Sequence, residues 1–324
     1  MNWQNKNVLI TGASGMLGSQ LTSDLLGRRA NVVAIMRDWV PTSELVKSDN
    51  FNKVSVVHGN LEDYHLVERV FNEYEVECCF HLAAQTIVGT ANRSPLSTFD
   101  SNLKGTWNIL EAARNSRLLE KLVVASSDKA YGTQEKLPYT EDSPLRASHI
   151  YDVSKTCTDL IAQAYYNTYS LPVGITRCGN IFGQGDLNFN RIVPGTIRSV
   201  LMKERPIIRS DGKFVRDYFY VKDASVACMA LAEGLENKRN WGQAFNFSNE
   251  EPTAVLEIVQ KILKLMNSKL KPVVLNQASG EIREQYLSSK KARSVLGWKP
   301  KYTLEAGVKE TIGWYRAFFK GAAK

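Results

Sequence analysis

A short strand-like run, Val8 to Thr11, leads directly into a loop whose glycines are spaced three apart, Gly12-Ala13-Ser14-Gly15-Met16-Leu17-Gly18. No other feature restricts the fold as tightly. Gly12 and Gly15 allow close backbone approach, so that loop amides and a helix N-terminus hold a pyrophosphate, with Ser14, Met16 and Leu17 completing the loop. Gly18 lets the helix pack tightly on the strand. A glycine turn used only for packing is the competing explanation, and it fits poorly with a loop that opens a βαβ unit.

Further along, apolar runs at Val32 to Met36, Val54 to Val57, Cys78 to Leu82, Leu122 to Ala125 and Val173 to Thr176 read as buried parallel strands. Between them, Leu17 to Leu26, Leu66 to Phe71 and Asn102 to Ala113 carry a 3.6-residue period. The alternation predicts an α/β fold, a doubly wound parallel sheet of Rossmann type. After Cys178 the pattern loosens, with helices expected at Thr253 to Met266 and Leu304 to Phe319. We therefore expect a dinucleotide-binding domain over 1–178, with a return of about 215–247, and a smaller C-terminal α/β substrate lobe over 179–324.

The end of the second strand reads the adenosine ribose, where an acid favours NAD. Here Met36 is followed by Arg37, and a guanidinium suits a 2′-phosphate, which tilts the expected cofactor, NAD(P)+, towards NADP+. Asn60 and Leu61, after the third strand, are adenine-pocket candidates by position.

Tyr151 and Lys155 stand four apart in a helical stretch, hence on one face, beside an apolar stripe of Ile150, Val153, Cys157, Leu160, Ile161 and Ala164. A tyrosine titrates near 10 in water, and a nearby ammonium together with a nicotinamide cation is expected to lower it until the phenol works as a base.

With these motifs in place the chain resembles the extended short-chain dehydrogenases/reductases, the nucleotide-sugar epimerases and dehydratases. The resemblance runs nearly end to end: His81-Leu82-Ala83-Ala84-Gln85, Asn102 with Gly105-Thr106, Arg216-Asp217-Tyr218 with Val221 and Asp223, and Leu296-Gly297-Trp298 with Pro300. It implies that Tyr151 and Lys155 serve hydride transfer beside the nicotinamide, that Leu82 to Gln85 and Asn102 line the cofactor, and that the C-terminal lobe holds a nucleoside diphosphate. It also implies substrate contacts at Gln85, Asn180, Arg191, Arg216 and Arg283, guanidinium groups being suited to phosphate.

Ser126-Ser127-Asp128-Lys129-Ala130-Tyr131-Gly132 discriminates within the family. Ser127 matches the catalytic Ser or Thr at the sugar 4-hydroxyl. Asp128-Lys129 is similar to the acid-and-base pair of 4,6-dehydratases, where water is eliminated across C5 and C6. The Asp-Lys version resembles CDP-glucose 4,6-dehydratases, as does Arg177-Cys178-Gly179-Asn180 through Asp186 with Arg191-Ile192-Val193-Pro194. Those enzymes usually carry Trp-Gln-His after the arginine matching Arg216, where this chain has Asp217-Tyr218-Phe219. The nucleotide base stays open.

Two alternatives remain: a 4-epimerase or 5,6-dehydratase of the same fold, and, more remote, a non-catalytic cofactor-binding regulator or RNA-associated protein. The 41 Lys and Arg against 33 Asp and Glu give a net charge of +8, which favours an anionic partner. Since no five-residue basic run occurs, that partner is expected to be a nucleotide sugar rather than nucleic acid. No apolar run spans a bilayer and no signal-peptide layout opens the sequence, so no membrane association and a cytoplasmic location are expected. The five cysteines form no C-x-x-C pair, and with four His the expectation is free thiols and no metal. Stripes around Asn102 to Arg114 and Ile150 to Tyr166 suggest a homodimer across a two-fold axis.

Overall fold

The structure, a computed structural model, describes residues 2–278 and 282–321. In chain order the first half holds β1 (Asn7–Thr11), α1 (Met16–Gly27), β2 (Asn31–Met36), α2 (Glu44–Lys47), β3 (Val54–His58), α3 (Tyr64–Glu73), β4 (Cys78–His81), α4 (Val88–Arg93), α5 (Pro95–Phe99), α6 (Gly105–Asn115), β5 (Lys121–Ala125), α7 (Ile150–Tyr169) and β6 (Val173–Cys178). There follow β7 (Asn180–Phe182), α8 (Ile192–Leu201), β8 (Ile207–Ile208), β9 (Val215–Tyr220), α9 (Val221–Gly234), β10 (Ala244–Phe247), β11 (Pro252–Ala254), α10 (Val255–Leu265), β12 (Val273–Val274), β13 (Glu284–Gln285), α11 (Lys290–Leu296) and α12 (Leu304–Gly321).

Seven strands make one parallel sheet in the order β10-β6-β5-β4-β1-β2-β3, the doubly wound layout that the sequence predicts. Strand β1 pairs with β2 on one side and β4 on the other, Thr11 lying between Ile35 and His81. The order reverses there, and such a switch point opens a crevice at the carboxyl ends of the strands. Both faces of the sheet are covered, which is why its strands read as continuous apolar runs. Within β1, Val8 and Ile10 pack with Leu21 and Leu25 of α1 and with Ala227 and Leu231 of α9. Leu9 points the other way, into a core with Val70 of α3 and Ile109 of α6.

The smaller sheet is centred on β9, with β11 antiparallel to it and β7 and β13 parallel. Its cover is α8, α10 and α12, through Ile197, Ile258, Ile262, Val308 and Tyr315. The helix expected from Thr253 begins at Val255, because Pro252–Ala254 is instead a strand against Asp217–Val215. Pro252 lacks an amide donor and tolerates this edge position.

Helix α7 differs more from expectation. Its buried residues are Asp152, Ser154, Lys155, Thr158, Asp159 and Ala162, whereas Leu160 of the apolar stripe is 51% exposed. The polar face turns inward because Ser154, Lys155, Thr158 and Asp159 find partners there. Thr158 Oγ1 donates to the Asn102 carbonyl at 3.1 Å, and Asp159 takes a two-point bond from Arg177, at 2.8 and 2.9 Å. Arg177 also donates to the Tyr131 hydroxyl at 2.8 Å, which in turn donates to Asn246 at 2.7 Å, tying α7, β6 and β10 together.

Candidate active site

The glycine loop lies at the switch point. Gly12 has φ +75°, and a Cβ there would stand 2.8 Å from the Ala83 amide nitrogen, so β1 and the segment after β4 touch backbone to backbone. A Cβ on Gly18 would meet the Gly12 carbonyl oxygen. A Cβ on Gly15 would meet, among the described residues beyond its chain neighbours, only that same oxygen, at 3.3 Å, so this side of the loop is open. Gly15 caps α1 without any side-chain bond, and the first turn carries no acid. An uncapped helix end beside an open glycine cradle fits a pyrophosphate. Around it, Ser43 donates to the Ser14 carbonyl at 2.8 Å, and Met16 and Leu17 are partly buried.

Other candidates frame the same crevice. Asn102 accepts from the Gln85 amide at 2.6 Å and donates to the Gln85 carbonyl and to Ser154, so it fastens the Leu82 to Gln85 segment to α7. The Gln85 side chain accepts from the Ile87 amide at 3.1 Å and so stabilises its own turn. Buried His81 lies between Thr11 and Thr106, and desolvation takes its pKa down to about 3. Leu61 supplies a carbonyl to Asn108 at 2.7 Å, while Asn60 is exposed. Arg37 is exposed, paired with Asp38 at 2.8 Å and reaching Ser101 at 3.3 Å.

Tyr151 and Lys155 share the inner part of α7, but the electrostatics differ from expectation. Desolvation pushes the phenol up to about 12. Arg191 and a hydrogen bond with the Ser127 hydroxyl pull it down, and Asp128 and Asp152 push it up. The Lys155 ammonium is turned to the strand instead: it donates to the Ala125 carbonyl at 2.7 Å, and burial brings its pKa down to about 8. The lowering expected of Tyr151 is therefore absent from the protein by itself. Two further Lys155 donors are available for ribose hydroxyls.

At the end of β5 the backbone turns through Asp128–Tyr131. Ser127 Oγ accepts from the Lys129 amide at 3.2 Å and donates to Asp128 Oδ1 at 3.0 Å. Asp128 is 2% exposed, its Oδ2 has no hydrogen-bond partner among the described residues, and desolvation raises its pKa against the pull of Lys129 and Ser127. Lys129 Nζ donates to Gln285. The structure thus gathers Ser127, Asp128, Lys129 and Tyr151 into one pocket around a buried acid whose pKa is raised by desolvation.

Of the expected substrate residues, Arg191 and Arg216 reach this pocket. Arg191 acts on Tyr151 and pairs with Asp186 at 3.4 Å. Buried Arg216 acts on Asp128 and donates to the Val215 and Arg283 carbonyls. Asn180 is partly buried in β7 beside Tyr218. The Arg283 side chain is 70% exposed and lies 3.9 Å from the Asp211 carboxylate. Three residues were not picked out from the sequence: Asp152, Asp217 and Gln285. Asp217 lies inside the quoted Arg216-Asp217-Tyr218 run, whereas a two-residue strand carries no pattern that would mark Gln285.

A family model described as GDP-mannose 4,6 dehydratase matches residues 9–311. CDP-glucose 4,6-dehydratase of Salmonella typhimurium is 27% identical, over 98% of this chain and 93% of that protein. A putative UDP-glucose 4-epimerase of Methanocaldococcus jannaschii is 31% identical, over 95% and 98%. Among solved structures, dTDP-glucose 4,6-dehydratase from Bacillus anthracis in complex with NAD superimposes with a TM-score of 0.85 at 27% identity, over 97% of this chain and 98% of that one.

Proposed function

Since the chain belongs to the GDP-mannose 4,6-dehydratase family of extended short-chain dehydrogenases/reductases, we propose that it is an NDP-hexose 4,6-dehydratase of the CDP-glucose type, forming a 4-keto-6-deoxy sugar nucleotide. The observation that carries this reading is Asp128, a buried carboxyl whose pKa is raised and which is joined to Ser127. A carboxyl whose pKa is raised by burial is better suited than a solvated one to donate a proton to a departing hydroxyl. An epimerase needs none.

The bound nicotinamide would supply the hydride acceptor and donor. Gly12, Ser14, Gly15, Met16, Leu17 and Gly18 would hold the pyrophosphate, Leu82 to Gln85 would wall the crevice, and Lys155 would hold the ribose. Tyr151, assisted by Ser127, takes the proton of the sugar 4-hydroxyl. For this the phenol must fall from about 12, a lowering that the positive charge of an oxidised nicotinamide favours. The resulting 4-ketone acidifies the C5 proton, Lys129 in its neutral form removes it, and Asp128 protonates the C6 hydroxyl as water leaves. Asn180, Arg191 and Arg216 would bind the sugar diphosphate, with Arg283 at the rim.

Incubation with CDP-, dTDP-, UDP- and GDP-hexoses followed by NMR at C6 tests the reading. We expect a 6-methyl product, lost by about 10²- to 10⁴-fold in Asp128→Asn while the first hydride transfer, seen as absorbance of the reduced cofactor, persists. An intact hydroxymethyl group on every converted sugar would point to the 4-epimerase, which the 31% identity to a putative UDP-glucose 4-epimerase favours. Turnover unaffected in Tyr151→Phe would remove both enzymatic readings.

For the cofactor, Arg37 keeps a 2′-phosphate acceptable, while the Asp38 carboxylate beside it favours the unphosphorylated ribose of NAD+. KM for the two cofactors in wild type and Arg37→Ala decides between them. A homodimer through α6 and α7 is supported by the exposure of Trp107 and Leu160 on these neighbouring helices.

A further inference from the structure

Two adjacent residues of α12 reach out of the C-terminal lobe, one towards the cofactor loop and the other towards the substrate arginines. Trp314 Nε1 donates to the Glu44 carboxylate of α2 at 2.7 Å. The Tyr315 hydroxyl donates to the carbonyl of Asp186, whose side chain pairs with Arg191. The two targets meet at Gly185, where an added Cβ would stand 3.5 Å from the Glu44 Cβ and 3.7 Å from the Met16 Cα. From Glu44 the glycine loop is one residue away. Its neighbour Ser43, 4% exposed, donates to the Ser14 carbonyl at 2.8 Å, and the Gly15 amide of that same peptide donates to the Gly12 carbonyl at 3.0 Å. The peptide that leads into the uncapped first turn of α1 is therefore held at both ends. Leu45 seats α2 on the main core, yet α2 also borders an open cleft with α1, lined by Gln20, Ser23, Ser48 and Asn50. Helix α12 bridges to α2 there through the Trp314–Glu44 bond and through Phe318, whose ring faces the Lys47 ammonium at 4.5 Å.

We propose that Trp314 is a positioning residue for cofactor retention: by holding Glu44 it fixes the segment between β2 and α2, and with it Ser43 and the glycine loop, around the dinucleotide. The inference rests on the reading that this chain borrows a hydride and gives it back, which the dehydratase and the 4-epimerase share. In that chemistry the sugar is oxidised at C4 by two electrons, and the same bound nicotinamide must return them. The fold therefore has to keep hold of the reduced dinucleotide for as long as the sugar stays oxidised. A segment that flanks the adenosine ribose and is tied to the substrate lobe is suited to that task. The tie is of a strong kind, since an indole N–H only donates and its acceptor here is a carboxylate, which makes the bond charge-assisted. A bond that served the architecture alone would raise stability and leave the release of the dinucleotide untouched.

The test follows release of bound NADH, and separately of NADPH, from the whole protein as nicotinamide fluorescence is lost on adding an excess of the matching oxidised form. Wild type is compared with Trp314→Phe, Glu44→Ala and Glu44→Gln. Trp314→Phe keeps a ring to stack on Phe318 and loses the donor. Its release is expected to be faster by about tenfold or more, the loss of one hydrogen bond to a charged group. Glu44→Ala should match it, while Glu44→Gln, whose carboxamide oxygen still accepts, should recover most of the retention. KM for the cofactor should rise in step, with KM for the sugar and kcat at saturating cofactor within about twofold of wild type. Release from Trp314→Phe at the wild-type rate overturns the proposal. So does Glu44→Gln releasing as fast as Glu44→Ala, and so does a fall in kcat that saturating cofactor leaves unrepaired. If Trp314→Phe does not fold, the two variants at partly exposed Glu44 carry the same comparison, and release from Glu44→Ala at the wild-type rate overturns the proposal. Wild-type protein that binds neither NADH nor NADPH would instead sink the enzymatic reading, an outcome separable from these.

Discussion

Asp217 is fully buried in β9, where the Ser248 hydroxyl donates to Oδ2 and the Leu287 amide approaches at 3.5 Å. Burial pushes its carboxyl up to about 7, and the charge of Asp128 adds to the rise. An unfolded aspartate titrates near 4, so the folded state binds the proton more tightly. The stabilisation is complete below about pH 4 and is lost as pH rises through about 7, at a cost on the order of 4 kcal/mol. Asp217→Asn keeps the shape of the protonated acid, so its melting temperature is expected to gain on wild type between about pH 4 and 7 and to level off above that, as thermal unfolding at several pH values would report. Arg177 makes the opposite kind of prediction. Its two-point bond to Asp159 is buried at both ends, 4% and 0% exposed. Arg177→Met therefore strands a buried carboxylate and should lose about 3–5 kcal/mol in urea unfolding, much of it recovered in the double variant with Asp159→Leu.

The turn from β1 into α1 offers a paired test at the level of one element. Gly12→Ala places a Cβ against the Ala83 backbone at positive φ, costing roughly 1–3 kcal/mol and abolishing retention of the dinucleotide. Gly27→Ala, at the far end of the same helix with nothing within 4 Å, should stabilise by up to about 1 kcal/mol and leave cofactor binding intact. Calorimetric titration with NAD(P)+ and thermal melts read both. Elements like this one were legible from sequence because glycine spacing and continuous apolar runs follow directly from backbone approach and two-sided burial. Helix α7 was legible only in part. Its apolar residues follow a helical period, but the inward face is polar, since Ser154, Lys155, Thr158 and Asp159 are satisfied by carbonyls and by Arg177. Ser127, Asp128 and Lys129 stood out because three adjacent residues at a strand end match the motif of a known family. Gln285 lies 156 residues from Lys129, and no local pattern encodes that meeting.

For the molecule as a whole, α6 and α7, joined by the Tyr165–Glu111 bond, leave Trp107 43% and Leu160 51% exposed. Light scattering is expected to find a dimer, with Trp107→Glu and Leu160→Glu combined giving a monomer; an unchanged mass for the double variant would place any assembly elsewhere. The strand order has a consequence for how such a chain is made. Ala244–Phe247 supplies the outermost ribbon of the large sheet, beside Val173–Cys178, yet α8, β9 and α9 are translated between the two. A nascent polypeptide emerging from the ribosome must hold an unpaired border open until some seventy further residues have been added, an interval in which that border invites pairing with other chains. For the same reason a protease cut between the halves would not liberate a self-sufficient nucleotide-binding piece: the polypeptide is stitched through both lobes, and each is completed by the other.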